Sequence, residues 1–372
     1  MATTKAEKPF RREIELDFVR GIAILLVMDF HNAAFGVLHY PLQLLHLPHP
    51  GWMGVDIFFV LSGFLVGGLL VKEWKVKGRI DSRSFLIRRV FKIWPQYYVY
   101  LFLLIATRHR TVRELWGNLL NIQNYVGGVA HTWSLAIEEH AYLLIILFLA
   151  VAARRKMRMR NLFLFFAGLS LAIVLLRLGL TWRRIQVFDP THTRVNAIFY
   201  GVMLAILYHY APEIFHRMQR WRWLWIAIPA ATLGYSWFHF VTWWDPAISL
   251  DLADFTGIAL LMLLYRHWEG KTHNWLYRVV AWIGLYSYGI YLWHVSVDAP
   301  VAFVARRLPE WIAPAWDAVA PIGFGILIGV VTTKLVEFPA LRLRDKWFPR
   351  RVDSAVGTPA EQEPLEAEAQ RA

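Results

Sequence analysis

Long apolar stretches separated by short polar segments make up most of the chain as far as residue 340. A membrane-spanning helix needs about 20 mostly apolar residues. Ten stretches approach that length, and they cover residues 16–38, 52–71, 86–107, 133–153, 162–181, 195–210, 223–240, 249–265, 279–299 and 318–337. The pattern therefore predicts an all-α, polytopic integral membrane protein with about ten transmembrane helices.

The positions of the lysines and arginines predict how these helices are oriented. Cytoplasmic loops of membrane proteins carry an excess of both residues. If the N-terminus is cytoplasmic and the helices alternate, 28 of them fall in cytoplasmic segments and 8 in outer segments. We therefore expect both termini in the cytoplasm. Basic loops beside anionic lipid explain the net charge of +13, so a nucleic-acid partner is not expected.

The amino-acid composition is typical of a membrane protein and excludes several kinds of functional site. The chain is 57% hydrophobic and 18% charged, whereas soluble proteins average about 45–50% and about 25%. The absence of cysteine excludes a disulfide scaffold, a thiol nucleophile and cysteine ligands for a metal. His46 and His49 lie three residues apart in a predicted outer loop, which is only a weak metal signal. We expect no metal.

The pattern divides the chain into three segments. Residues 1–13 form a cytoplasmic N-terminal segment, residues 14–347 the ten-helix membrane domain, and residues 348–372 a polar, acidic cytoplasmic tail. The tail has too few apolar residues to fold, so we expect it to be disordered. We expect no fused soluble domain, because the remaining residues leave no room for one.

Ionisable residues inside membrane helices are rare and are candidates for function. In the first helix Arg20 and His31 are eleven residues apart, so they share one face and lie about 16 Å apart along the axis. Asp17 lies one turn before Arg20, near the same face. We call this row of Asp17, Arg20 and His31 on one helix face the stripe. It places a charged pair at the cytoplasmic end and an imidazole deep in the membrane. The alternative is that Asp17 and Arg20 only pair at the interface and that His31 only bonds a neighbouring helix.

The fourth helix carries a second candidate group. Ser134 and Glu138 are four residues apart and share a face, whereas Glu139 and His140 point to other sides. A buried carboxylate needs a partner, and beside His31 the carboxylate of Glu138 would orient the imidazole for general-base work. The spacing leaves open whether Glu138 or Glu139 faces the site.

Further polar residues lie in four other predicted helices. Asp56 and Ser62 are the polar residues of the second helix, and Arg194 is at the mouth of the sixth. In the ninth helix His294 and Asp298 share a face. At the end of the tenth helix, the i, i+3 spacing favours a structural ion pair between Lys334 and Glu337.

Seven segments, in their order along the chain, resemble the acyltransferase 3 family of ten-helix membrane acyltransferases. The resemblance extends over residues 14–347 and rests on short motifs: Arg20 with His31; Phe58, Phe59, Ser62 and Gly63 after Gly54, Val55 and Asp56; Lys92 to Tyr97; Trp133, Ser134, Leu135 and Glu138; Arg194, Gly201 and Ala205; Ser287, Tyr288, Tyr291, Leu292 and His294; Glu337, Pro339 and Arg344. Each motif alone is of moderate specificity, but seven in register are specific.

The resemblance implies a membrane-bound O-acyltransferase of a bacterial plasma or inner membrane. It implies transfer of an acetyl- or succinyl-like group from acyl-CoA, a co-substrate from the cytoplasm, with no permanently bound cofactor. The implied acceptor is a hydroxyl of a carbohydrate or glycolipid, as in the O-acetylation of polysaccharides. Arg20 and His31 are implied to be needed for activity.

The residues suggest roles that fit this reaction. A sugar hydroxyl is a poor nucleophile, and a neutral imidazole suits the task of activating it. We therefore expect His31 to accept the hydroxyl proton, oriented by Glu138, while the CoA phosphates are held by Arg20, Arg88, Arg89 and Lys92. We expect substrate contacts from Asp56, Ser62, Ser134, Arg194 and His294. Among them, the hydroxyls of Ser62 and Ser134 are expected to donate hydrogen bonds to the thioester carbonyl. A covalent acyl-His31 intermediate with ping-pong kinetics is an alternative.

Two other classes of function stay open. A proton-coupled transporter, or an exporter of acyl groups, would also place His, Asp, Glu and Arg inside helices. Transporters often have related halves, and residues 1–186 and 187–372 show no such kinship. A non-catalytic scaffold would leave the stripe of Arg20 and His31 unexplained. These points, with the resemblance, favour the enzyme.

Overall fold

The computed structural model describes residues 13–32, 50–239, 246–266 and 274–349. Within these ranges the chain is helical and has no strand. This confirms the predicted all-α class. Residues 1–12, His46 and His49, and the tail beyond residue 349 lie outside the described residues, so the predictions made for them are not addressed.

The described chain forms helices throughout, in the following order. The first eight are α1 (Ile14–His31), α2 (Gly54–Lys77), α3 (Ser82–Ala106), α4 (Val112–Leu119), α5 (Gln123–Val126), α6 (Trp133–Arg154), α7 (Met159–Trp182) and α8 (Thr191–Arg194). The next nine are α9 (Asn196–Tyr210), α10 (Pro212–Gln219), α11 (Arg222–His239), α12 (Pro246–Leu264), α13 (Trp275–Leu285), α14 (Ser287–Trp293), α15 (Asp298–Ala305), α16 (Ala313–Thr332) and α17 (Phe338–Trp347). Short 3₁₀ or π segments complete the list: Pro50–Met53, Ala130–Thr132, His294–Val297 and Thr333–Glu337.

Several of these helices are suited to crossing a membrane. Among the described residues, five segments are long and apolar enough by themselves, and they are Gly51–Lys77, Ala130–Arg154, Met159–Trp182, Ala247–Leu264 and Ala313–Trp347. Helices α9 and α10 would form a sixth if they are one span, but the chain bends by 115° between them. The bend occurs where Pro212 starts α10 and removes a backbone donor. The count of ten spans and the cytoplasmic termini stay predictions.

Glycines bring α2 and α9 into backbone contact. A Cβ placed on Gly63 would collide with the carbonyl oxygen of Ile198, and one placed on Gly201 would collide with that of Val60. Small residues let two membrane helices approach closely and gain packing contacts along their length. This contact fixes α2, with Asp56 near its start, against the helix that follows Arg194.

Helix α1 packs against α13. The backbone of Gly284 lies against the carbonyl of Asp17, and the ring of Phe18 stacks on Tyr277 with centroids 3.8 Å apart. At its other end α1 stops at His31, and Asn32 donates a hydrogen bond of 3.2 Å to the carbonyl oxygen of Asp317. His31 is therefore the last residue of its helix, not a residue deep in a longer one as the apolar run to residue 38 predicted. The apolar pattern continues past this end, which is why the pattern alone did not locate it.

Candidate active site

Three histidines from distant parts of the chain meet at the end of α1. His31 closes α1, His131 lies in the turn before α6, and His294 opens the turn after α14. The ring centroids are 4.9 Å apart for His31 and His294, 5.5 Å for His131 and His294, and 6.4 Å for His31 and His131. The sequence pattern selected His31 and His294 but assigned no role to His131. The sequence feature that could have identified His131 is its position two residues before the Trp-Ser-Leu motif.

Backbone carbonyls orient all three rings. Nδ1 of His31 lies 2.9 Å from the carbonyl oxygen of Val27, and Nδ1 of His294 lies 2.8 Å from that of Tyr291. A carbonyl oxygen only accepts, so in the neutral rings the proton is on Nδ1 and the lone pair is on Nε2. For His131 the order is reversed, because its Nε2 is the atom bound to a carbonyl oxygen. His31 and His294 therefore both offer a basic Nε2.

His31 and His294, but not His131, border a small open recess. One wall is polar and is formed by His31, Asn32, His294 and Asp298. The rest of the lining is apolar and is formed by Met28, Pro321 and Ile322. His294 and Asp298 were predicted to share a face, and both do border this recess. A general base must lie within reach of the proton that it removes, and His31 borders an opening of this kind.

Ser134 belongs to the histidine end of the molecule. Its hydroxyl is hydrogen-bonded to the hydroxyl of Tyr291, which also donates to the carbonyl oxygen of His131. Ser62, which was expected to act with Ser134 on one carbonyl, instead bonds Glu138 and Tyr142. The two serines therefore hydrogen-bond different groups.

Glu138 lies in a second cluster, away from the contacts of His31. Its carboxylate accepts hydrogen bonds from Ser62 at 3.2 Å and from Tyr142 at 2.8 Å. No hydrogen bond joins it to His31 among the described residues, so the predicted pairing is wrong and Val27 orients the ring instead. Spacing tells which side of its own helix a residue occupies, but not which helix faces that side.

Arg20 and Arg89 surround this second cluster. Both lie within electrostatic range of the Glu138 carboxylate. Arg20 also pairs with Asp17 at 2.8 Å, the ion pair that the alternative interpretation of this stripe proposed. The guanidinium of Arg89 lies 5.4 Å from the centre of the Tyr142 ring, a distance at which a cation is attracted to an aromatic face.

The other two predicted phosphate ligands are also paired. Lys92 forms an ion pair with the buried Glu337, and Arg88 lies 3.6 Å from Asp345. The expected pairing of Glu337 with Lys334 is therefore wrong. The cause is local: residues Thr333–Glu337 form a π-helical turn, so the i, i+3 geometry of a regular α-helix does not apply.

Asp56 and Arg194 pair with each other. Their ion pair measures 2.6 Å, and the side chains are only 1% and 3% exposed. Both were predicted to contact substrate, and in the structure each is the ion-pair partner of the other. A buried charge is stable only when another group compensates it, so each requires the other.

Sequence reasoning missed the polar network that continues from this pair. Arg177, fully buried, pairs with Asp251 and donates to the carbonyl oxygen of Thr193. Asn196 donates to Asp254 at 3.0 Å. The available signal was a charged residue inside an otherwise apolar stretch, as at Arg177 and Asp254.

Comparison with protein families matches residues 13–334 to the acyltransferase domain. Among curated proteins, the peptidoglycan O-acetyltransferase of Listeria monocytogenes is 24% identical, covering 87% of this chain and 55% of its own. A Staphylococcus aureus protein named "Putative O-acetyltransferase" is 24% identical (92% and 60%), and a Bacillus subtilis protein named "Putative peptidoglycan O-acetyltransferase" is 25% identical (91% and 56%). The chain thus spans 55% to 60% of the length of these relatives. No solved structure matches.

The family match covers most of the chain and includes all three histidines and Glu138. Members of this family transfer acyl groups other than aminoacyl groups, and the apolar helices agree with the expected membrane character. The chain belongs to the acyltransferase 3 family.

Proposed function

We propose that this chain is a membrane-bound O-acyltransferase that moves an acetyl- or succinyl-like group from acyl-CoA to a hydroxyl of a glycan or glycolipid. The observation that carries the proposal is the placement of His31, which borders an open recess while Val27 holds its Nδ1. The names of the relatives point to a cell-wall glycan such as peptidoglycan as the acceptor. The enzyme acts in the bacterial plasma membrane, with ten spans and both termini in the cytoplasm.

His31 acts as the general base. Its Nε2 accepts the proton of the acceptor hydroxyl as the oxygen attacks the carbonyl carbon of the thioester. The carbon–sulfur bond breaks, an ester forms, and the thiolate leaves with the electron pair. The imidazolium of His31 then returns its proton to the thiolate, so the products are the acylated glycan and the free thiol. A preformed orientation of the base supports such a step, because its rate depends on geometry.

The donor binds at the opposite end of the stripe on α1. Arg20, Arg88, Arg89 and Lys92 attract the CoA phosphates, which exchange with the carboxylates that now pair with Arg20, Arg88 and Lys92. Arg20 and His31 are separated by about 16 Å along the helix axis, and the thin acyl-bearing arm of CoA follows that line. Glu138 acts as a positioning residue, because it lies close to both Arg20 and Arg89.

The proposal is tested by acyl transfer in isolated membranes. Membranes with and without the chain receive labelled acetyl-CoA and then labelled succinyl-CoA, together with the glycan fraction of the cell. We expect label in a sugar-containing product only when the chain is present. Uptake of a solute into vesicles that needs a proton gradient but no acyl-CoA, without labelled glycan, would contradict an enzyme and support the transporter.

A further inference from the structure

Polar residues that line the recess beside His31 offer hydrogen-bond acceptors. Nε2 of His31 carries a lone pair, and Asp298 contributes a carboxylate. Asn32, which also borders the recess, donates from its side-chain nitrogen to the carbonyl oxygen of Asp317. None of the described residues that border the recess is a lysine or an arginine.

His294 adds an acceptor whose hydrogen bond is missing. The residue is 5% exposed, and its Nδ1 is held by the carbonyl oxygens of Tyr291 and Ile290 at 2.8 Å and 3.2 Å. Its buried Nε2 has no hydrogen-bond partner among the residues that the structure describes. Buried polar atoms nearly always have a partner, so an exception in a site needs an explanation. The matching group must be a donor, because in the neutral ring Nε2 is the acceptor.

Resting on the proposed function, we propose that this recess is the acceptor sub-site and that Nε2 of His294 binds a second donor of the sugar. That donor is a hydroxyl or amide N–H next to the hydroxyl that His31 deprotonates. The apolar faces of Met28, Pro321 and Ile322 take the C–H face of the sugar ring. A pocket with one apolar wall and a few convergent polar groups is typical of small-ligand sites.

The polar residues that line the recess also favour an uncharged sugar over an acidic one. Hydroxyl and acetamido groups donate to acceptors, whereas phosphate and carboxylate groups only accept and would be repelled by the carboxylate of Asp298 in the recess lining. Specificity of this kind comes from repelling the wrong ligand as much as from binding the right one. The sub-site therefore takes an uncharged sugar unit, such as a hexose or an N-acetylhexosamine, and rejects an acidic one.

Two matched variants separate the roles of the two ring nitrogens. In His294→Gln the side-chain amide reaches the position of Nε2, and in His294→Asn it reaches only that of Nδ1. We expect His294→Asn to raise the KM for the glycan about tenfold, the equivalent of one lost hydrogen bond, with the KM for acyl-CoA unchanged. We expect His294→Gln to stay near the wild type.

Two results would overturn the assignment. If His294→Asn behaves as the wild type while His294→Gln does not, the residue only anchors its own backbone through Nδ1. If both variants lower kcat and leave the KM for the glycan unchanged, the residue acts on a proton and not on binding.

Binding without catalysis tests the sub-site separately from the proposed reaction. The full chain in detergent is titrated calorimetrically with chitotetraose, which is uncharged and rich in donors, and with tetragalacturonate, which is acidic and of equal length. We expect chitotetraose to bind, His294→Asn to weaken that binding, and tetragalacturonate not to bind. Equal binding of the two sugars would overturn the sub-site. If the chain transfers no acyl group but binds chitotetraose through His294, the proposed function fails and the sub-site stands.

Discussion

At the scale of single residues, hydrogen bonds to the backbone decide what the histidine cluster is able to do. His31 and His294 direct Nδ1 to carbonyl oxygens of their own helical turns, which puts the basic nitrogen on the far side of each ring. This arrangement replaces the carboxylate that was expected to orient His31. A backbone acceptor orients the ring without adding a buried charge, and buried charges are unfavourable unless paired.

Glu138 then stabilises its own cluster, and this is testable. In Glu138→Leu the hydroxyls of Ser62 and Tyr142 keep only each other as partners, so one of the two hydroxyl protons loses its acceptor. An unsatisfied buried polar group costs about 1–3 kcal/mol, so we expect a lower Tm for this variant than for Glu138→Gln, which keeps a side-chain oxygen there. Thermal unfolding of the purified protein measures the difference. The same Tm for both variants would show that these hydrogen bonds contribute nothing.

The sequence indicated which buried charged residues to consider, but it predicted their partners only in part. The ion pair of Asp17 with Arg20 was predictable because both residues lie on one helix and regular geometry applies. The partners of Glu138 and Glu337 come from other helices, and no spacing along one chain segment reports which helices adjoin. Only the folded structure shows that the ring of His131 lies beside those of His31 and His294.

At the scale of elements, the apolar pattern predicted where helices form but not how they pack. Each of the ten apolar stretches, as far as it is described, coincides with one or more helices. The ends were less predictable: α1 ends at His31, and the side chain of Asn32, the next residue, donates to the carbonyl oxygen of Asp317 in α16. The apolar run of the sequence continues beyond that point, so its length did not mark the end.

The packing of α2 against α9 depends on Gly63, because a glycine has no Cβ to separate the two backbones. The methyl group of Gly63→Ala would meet the backbone of Ile198, and backbone atoms have no alternative rotamer. Overpacking of this kind costs about 1–3 kcal/mol, so we expect a lower Tm. Gly168→Ala on α7 is the matched control, because a Cβ there has no neighbour within 4 Å. Scanning fluorimetry in detergent compares the two, and an unchanged Tm for Gly63→Ala would contradict this packing.

At the scale of the whole molecule, the distribution of charge predicts how the bundle sits in the membrane. The basic residues concentrate on the loops that the predicted orientation places in the cytoplasm. In that orientation the histidine cluster lies towards the outer face and the cations around Glu138 lie towards the cytoplasm. The donor and the acceptor then approach from opposite faces, which suits a cytoplasmic acyl-CoA and an external glycan.

The absence of cysteine makes this orientation easy to test. Arg79→Cys introduces one thiol into an exposed predicted cytoplasmic loop, and His109→Cys introduces one into an exposed predicted outer loop. In intact cells a membrane-impermeant maleimide should label His109→Cys and leave Arg79→Cys unlabelled until the cells are broken. The opposite pattern would invert the bundle and put the recess in the cytoplasm.

The central claim is that His31 performs the chemistry, and one measurement tests it most directly. Membranes that contain equal amounts of wild type, His31→Ala or His216→Ala receive labelled acetyl-CoA and the glycan fraction. His216 is the control, because it is an exposed histidine whose ring bonds only Gln219 among the described residues. General-base catalysis contributes about 10²–10⁴-fold, so we expect transfer to fall by about that factor in His31→Ala and to persist in His216→Ala. Equal rates in wild type and His31→Ala would contradict the account.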